Sequence, residues 1–236
     1  MITKLSYICF PTPKTNMKNK QLTLLVVFAT LFVTITHAQP QNFVIKNGFS
    51  IGGGFTQFNI KTDNFTTIQG SGFTVGFAST VDIPHRWYNV SYGMQISENT
   101  FDVSGRMTND VIGNEKIEYK LMAAQLGFFL HGKIIRSNLT FDAGPQLQYN
   151  GNLEFKNSQQ ETFFLNEHDG LSASEITDIS KFNINGAVGF TAGIGFLKVR
   201  VQYIYGFLNI FEKLNTTTNN FKGNPETFVF SAMITF

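Results

Sequence analysis

The stretch that most restricts this chain is its last, residues 228–236. Counted back from the end, every second residue is apolar: Phe236, Ile234, Ala232, Phe230 and Phe228. Between them lie Thr235, Met233, Ser231 and Val229. A period of two means a β-strand with one apolar face. The chain then stops on an aromatic ring. Two architectures end this way: a soluble sandwich or barrel, and a barrel whose outer face meets lipid and whose final aromatic sits at the bilayer interface. In the second, Phe228, Phe230 and Phe236 are the candidate assembly signal.

The first 38 residues read as a leader. Met17, Lys18, Asn19 and Lys20 form a short basic start, Leu22 to Ile35 an apolar run, and Thr36-His37-Ala38 a small-residue cleavage site before Gln39. The run is too short to span a bilayer as a helix, so it reads as a secretory signal, with Met17 as the expected true start. The leader also distorts the charge. Its lysines, Lys4, Lys14, Lys18 and Lys20, face no acidic residue, and removing them takes the formal net charge from +2 to −2. No basic excess is left to recruit nucleic acid. The single cysteine, Cys9, is in the leader too, so the mature chain has neither a disulfide nor a thiolate metal site, which suits an oxidising compartment.

Residues 39–236 are the right length for one domain. They hold no apolar run of about 20 residues, as a spanning helix would need. They hold eight alternating segments instead: Gly48–Ile60, Gly72–Ile83, Tyr88–Ser97, Lys116–His131, Asn138–Tyr149, Phe182–Phe196, Lys198–Leu208 and the closing strand. In the second, Phe73, Val75, Phe77, Val81 and Ile83 oppose Thr74, Gly76, Ala78, Thr80 and Asp82. The fourth is irregular. Ile117, Tyr119 and Leu121 share one parity, while Leu126, Phe128 and Leu130 share the other. A bulge near Met122–Ala124 is the expected remedy.

The gaps after the second, fourth and sixth segments are tight. Those after the first, third, fifth and seventh are longer and polar. Alternating loop lengths place all long loops at one end of an up-and-down barrel, the pattern of short periplasmic turns and long external loops. The fold expected is an all-β, eight-stranded antiparallel transmembrane barrel, closed so that no backbone edge meets lipid.

Catalytic patterns are thin. His168-Asp169 with Ser172 and Ser174 has the residue types of a hydrolase triad, but a loop does not fix triad geometry. His85, His131 and His168 lack metal-ligand spacing and read as solvated or interfacial. No catalytic residue, metal or cofactor is assigned. Asp142 and Arg200 lie on the lumen parity and are candidates for an internal polar network, since a buried charge in a narrow barrel needs a partner; the alternative is that each faces water at a barrel end. Eight strands leave an interior filled by side chains, which disfavours a channel. Binding is expected in the long loops Phe101–Glu115 and Asn150–Lys181. The second holds the candidates Phe163, Phe164, His168 and Asp169 within an acidic stretch, with the two rings read as exposed.

Two segments carry a family resemblance. Phe141-Asp142-Ala143-Gly144-Pro145-Gln146 resembles the "AGP" strand of the PorT-like outer membrane barrels of Bacteroidetes, and Val201 to Ile210 resembles their "Y-x-x-G-L-x-N-I" strand. Strand four lacks the family's "E-I-P" segment and has Lys120-Leu121-Met122 near its place. The resemblance implies a barrel and a membrane. Some relatives serve type IX protein secretion, so it also implies two kinds of partner besides outer membrane lipid and the barrel assembly machinery: a protein bound at the external loops, or the rest of a secretion complex. A non-enzymatic binding or scaffolding role is the expected function.

Overall fold

Phe49 and Phe236 exchange backbone hydrogen bonds, Phe236 N–H to Phe49 O at 2.7 Å and Phe49 N–H to Phe236 O at 3.3 Å, and so begin the seam that closes the molecule. In this computed structural model, which describes residues 46–108, 113–168, 170–215 and 220–236, the strands are β1 (Lys46–Thr62), β2 (Thr67–Asp82), β3 (Tyr88–Arg106), β4 (Glu115–Ile135), β5 (Leu139–Phe155), β6 (Phe164–Leu165), β7 (Phe182–Ile194), β8 (Leu197–Gly206) and β9 (Gly223–Thr235). Apart from β6, each pairs antiparallel with its neighbours, and β1 pairs with both β2 and β9. The result is a closed eight-stranded barrel without a free edge. The leader lies outside the described residues. Among those described, no helix is long and apolar enough to cross a membrane.

The strands run further than their alternation suggests. β3 has 19 residues and β4 has 21, where a tilted crossing needs about 9–11. Two expectations change as a result. Phe101 to Arg106 belong to β3 rather than to a loop. The first long gap shrinks to residues 63–66, so loop length does not alternate strictly. The long connections, residues 107–114, 156–181 and 207–222, still share one end, here called the loop end. Both ends of the barrel chain and the tight turns share the other, the turn end.

The irregularity of β4 also has a different cause. Ile117, Tyr119, Leu121, Ala123, Gln125, Phe129 and His131 all point inward, so β4 keeps one parity throughout. Its hydrophobicity changes sides instead. Near the turn end, Leu126, Phe128 and Leu130 face out and Gln125 and His131 face in. Near the loop end, Ile117, Tyr119 and Leu121 are fully buried, while Glu118 and Lys120 face out. Lys120 there lies 3.6 Å from Glu98 and 3.5 Å from Glu154, and Lys156 lies 2.8 Å from Glu118. An apolar exterior suits hydrocarbon and a polar one suits water, so the wall leaves the bilayer near Met122. A register shift does occur between Leu121 and Ala123, but its extra residue is on β5, where Gly151 and Asn152 face Met122 alone.

The band below that boundary is predominantly apolar on its outside, with Gln57 and Ser79 among its few polar members. Phe73, Val75 and Phe77 of β2, Val188 and Phe190 of β7, and Phe228, Phe230 and Ile234 of β9 are all exposed. Aromatic rings flank it: Tyr149, Phe182, Tyr203 and Phe207 toward the loop end, and Trp87, Tyr88, Phe196 and Phe236 at the turn end. An apolar band between aromatic girdles on a closed barrel is a bilayer-spanning wall of the outer membrane kind.

Candidate functional site

The lumen is filled in layers, each set by which residue types take the inward parity. At the turn end lies an ionic network. Arg200 Nε is 3.6 Å from Asp142 Oδ2 and donates to Thr191 Oγ1 at 3.0 Å, and Thr191 in turn donates to that carboxylate. Thr140 Oγ1 and His131 Nδ1 each lie 2.6 Å from Asp142 Oδ1, and Ser91 Oγ lies 2.6 Å from His131 Nε2. The carboxylate is fully buried, so these donors replace its lost hydration.

Ser91, His131 and Asp142 have the connectivity of a hydrolase triad. Connectivity does not suffice, because a substrate carbonyl must reach the hydroxyl. Ser91 is 1% exposed, and the lumenal cavity, about 60 Å³, is lined by other residues, including Gly93, Gln95, Phe129 and Arg200. The three residues act here as a satisfied buried network. His131 was expected at a solvated or interfacial position and is instead a buried member of it. On the sequence it stands in the segment of mixed parity. Only the register, which sets His131 directly opposite Asp142, reveals the role.

Above the network Phe129, Ala187, Ile204 and Val229 form an apolar layer, and the Arg200 guanidinium lies 5.8 Å from the Phe129 ring. Next comes a ladder of amides. Gln95 donates to Gln125, Gln125 to Gln148 at 2.8 Å, Gln148 to Asn150 at 2.6 Å, and Asn150 to the Ser180 carbonyl at 3.0 Å. The topmost layer is apolar: Phe58, Ile60, Phe101, Val103, Ile117, Tyr119, Leu121 and Leu153 from the strands.

The long connections complete that top layer. Residues 156–181 insert Leu165, Ala173, Ile176 and Ile179, and residues 207–222 insert Ile210, Phe211 and Phe221. β6 pairs Leu165 with Gly105 and Phe164 with Arg106, which stitches the connection to the tip of β3. Tyr119 donates its phenol to the Ala173 carbonyl at 2.9 Å, and burial raises that phenol's pKa. Asn209 gathers the second connection: its Oδ1 accepts from Phe211 N–H at 3.0 Å and Gly223 N–H at 2.8 Å, and its Nδ2 donates to Phe221 O at 2.7 Å. Lys213 Nζ, 2.6 Å from Asp178 Oδ1, ties the two connections and holds the Asp178 carboxyl below its usual range. The loops thus form a folded cap over a filled lumen.

The expected loop site changes accordingly. Phe163 and Phe164 are half-buried rather than exposed, and Phe163 packs against the core beneath the cap. The His168 ring lies 4.9 Å from that of Phe221, and Asp169 falls outside the described residues. Ser172 and Ser174 do not meet His168 as a triad. The Ser172 N–H donates to Glu175 at 2.8 Å, and its hydroxyl lies 3.0 Å from that of Ser174, starting the 3-10 turn Ala173–Thr177. What the cap presents to solvent is strongly charged: the acids Glu161, Glu167, Glu175, Asp178 and Glu212 stand with Lys156, Lys213 and Lys222. No cluster of ligands that could hold a metal occurs among the described residues.

The strand resembling "AGP" has a local reason for its glycine. A Cβ on Gly144 would stand 1.9 Å from the Phe128 carbonyl oxygen, so β4 and β5 approach too closely there for any side chain.

No family model matches the chain, and no curated protein matches it. Several solved barrels are similar to it. Ail, the attachment invasion locus protein of Yersinia pestis, solved with the heparin analogue sucrose octasulfate, is 12% identical over 81% of this chain and 99% of its own, with a TM-score of 0.48. Neisserial surface protein A is 9% identical over 80% and 97%, with a TM-score of 0.47. The translocator domain of the autotransporter NalP from Neisseria meningitidis is 9% identical over 93% and 97%, with a TM-score of 0.29.

Proposed function

We propose that this outer membrane barrel is a non-enzymatic binding or scaffolding protein of the PorT-like kind, with its leader removed, its turn end in the periplasm and its cap outside the cell. One observation carries the reading: the long connections are packed onto the strand ends as a folded, charged cap above a lumen filled by side chains. A filled lumen gives no route for solute. The wall faces hydrocarbon. What is left to meet a partner is the cap, a surface fixed on a rigid scaffold.

The test has two arms. The purified barrel in a planar bilayer is expected to show no steady conductance. Replacing the exposed Glu161, Glu167 and Glu212 by lysine should leave the barrel and cap folded and remove the phenotype that loss of the whole protein causes. Full complementation by the charge-reversed cap would refute the cap as the working surface, and steady conductance would restore the pore.

A further inference from the structure

The turn end carries a feature that neither the cap nor the lumen uses. On the outer face of β5, β7 and β8, Leu139, Ala192 and Val199 stand side by side in register. Ala192 is small between two larger neighbours, so it floors a furrow whose sides are Ile135, Leu139, Ile194, Leu197 and Val199. The furrow has a volume of about 560 Å³ and a mainly apolar lining. Two residues further into the wall, the rings of Phe141 and Phe190 meet edge to face at 5.3 Å.

A basic rim adjoins the furrow. The turn from β4 to β5 is closed by Asn138 N–H to Ile135 O at 3.0 Å, and its tip is Arg136. Arg136 is exposed and has φ +49°, a left-handed conformation that costs a non-glycine residue about 1–3 kcal/mol. Ile135 and Asn138, on either side of the tip, both line the furrow. Ser137 Oγ donates to Asp82 at 3.3 Å, which brings the turn holding Arg86 beside it. Among the described side chains of this end, Arg86, Lys133, Arg136, Lys198 and Arg200 outnumber the carboxylates of Asp82 and Asp142. Lys133 and Arg200 pair with those two carboxylates, which leaves Arg86 and Arg136 exposed at the rim.

We infer that this furrow holds one phospholipid of the periplasmic leaflet, an acyl chain lying along Ala192 and the phosphate held by Arg136 with Asn138. The inference rests on the membrane orientation proposed above. An apolar furrow open to hydrocarbon takes an acyl chain, and a guanidinium at its mouth takes a phosphate through paired donors. Arg136 stands in the turn whose flanking residues, Ile135 and Asn138, line the furrow, so its guanidinium is within reach of the mouth.

The mature barrel would be folded in micelles containing either phosphatidylglycerol or a diacylglycerol of the same chains, and native mass spectrometry would count retained lipid. One phosphatidylglycerol per barrel is expected, with diacylglycerol held about tenfold less well. Arg136→Gln should reduce phosphatidylglycerol retention by a similar factor. Ala192→Phe should abolish it, and Ala192→Leu serves if the larger ring blocks folding. Equal retention of the two lipids, retention unchanged by filling the furrow, or a dimer that excludes lipid would overturn the inference. Heat-modifiable migration of the same samples separates the two readings: no folded, membrane-inserted barrel sinks the proposed function, whereas a folded barrel with no lipid preference sinks only the furrow.

Discussion

Arg200 reaches Asp142 through a hydroxyl: its Nε is 3.0 Å from Thr191 Oγ1 but 3.6 Å from the carboxylate oxygen itself. The ion pair is thus one edge of a network that also includes His131, Thr140 and Ser91. Arg200→Leu leaves a fully buried carboxylate short of its cation and should cost about 3–5 kcal/mol. Replacing Arg200 and Asp142 together by apolar residues should cost less than the sum of the two single changes, as urea unfolding of the vesicle-inserted barrel would record. Additive costs would mean that the two do not couple.

The boundary near Met122 predicts opposite tolerances six residues apart on one strand face. Leu126→Lys puts a charge against hydrocarbon and should destabilise by about 2–4 kcal/mol. Lys120→Ala removes a partly exposed charge between Glu98 and Glu154 and should cost less than about 1 kcal/mol. Similar costs for the two would place the boundary elsewhere.

This reversal explains which parts of the fold were legible in the sequence. Within the bilayer, parity and polarity coincide, so Phe73 to Asp82 or Phe228 to Phe236 can be read without a structure. Beyond it the alternation persists, but its apolar face turns inward. Ile117, Tyr119 and Leu121 therefore look like a broken register, and Phe101 and Val103 look like loop. Asp142 and Arg200 were legible as lumen residues because a charge among apolar alternation stands out. His131 and Thr191 were not, since their role depends on β4–β5 and β7–β8 register, which single-strand parity does not encode. The half-burial of Phe163 and Phe164 was hidden for a similar reason: a loop's packing depends on what the strand tips offer, and here they offer a bare apolar layer.

Tyr119 links β4 to the cap through one hydrogen bond, to the Ala173 carbonyl. Tyr119→Phe should cost about 1–2 kcal/mol, in the cap rather than in the wall. Because burial raises the phenol's pKa in the folded state, its contribution is complete below the unfolded value near 10 and is lost as pH rises above it. Hydrogen exchange at residues 163–177 should therefore be flat from pH 6 to 9 once intrinsic rates are removed. It should quicken in stronger alkali, and the Phe variant should lack the alkaline limb.

Removing Phe236 deletes both seam bonds to Phe49 and one ring of the turn-end girdle. The hydrogen bonds alone are worth about 1–3 kcal/mol, a modest fraction for a barrel, so the larger effect is expected in assembly. Folded protein in the outer membrane should fall while the purified, refolded variant keeps its heat-modifiable shift. Normal membrane levels of the deletion would remove the closing aromatic from the list of assembly signals.

Excising residues 157–180 tests the cap itself. A purely solvated loop would be lost without structural effect, and that is the outcome expected of a floppy loop. The packing here predicts otherwise. Leu165, Ala173, Ile176 and Ile179 leave the top layer, and Tyr119, Ile117 and Leu153 are opened to water. Uncovering several large side chains costs about 1.5–3 kcal/mol each. The wall below Met122 keeps its ladder and its lipid contact, so the barrel should still insert and migrate as folded. The tips of β3, β4 and β5 should fray and become cleavable by added protease between residues 99 and 121. Substituting Ile117, Tyr119 and Leu121 with Thr in the excised chain should restore protease resistance by matching the uncovered layer to water. If that repaired, capless barrel still supplies the protein's role in the cell, the cap is only a lid on an apolar layer, and the binding surface must be sought at the periplasmic turns.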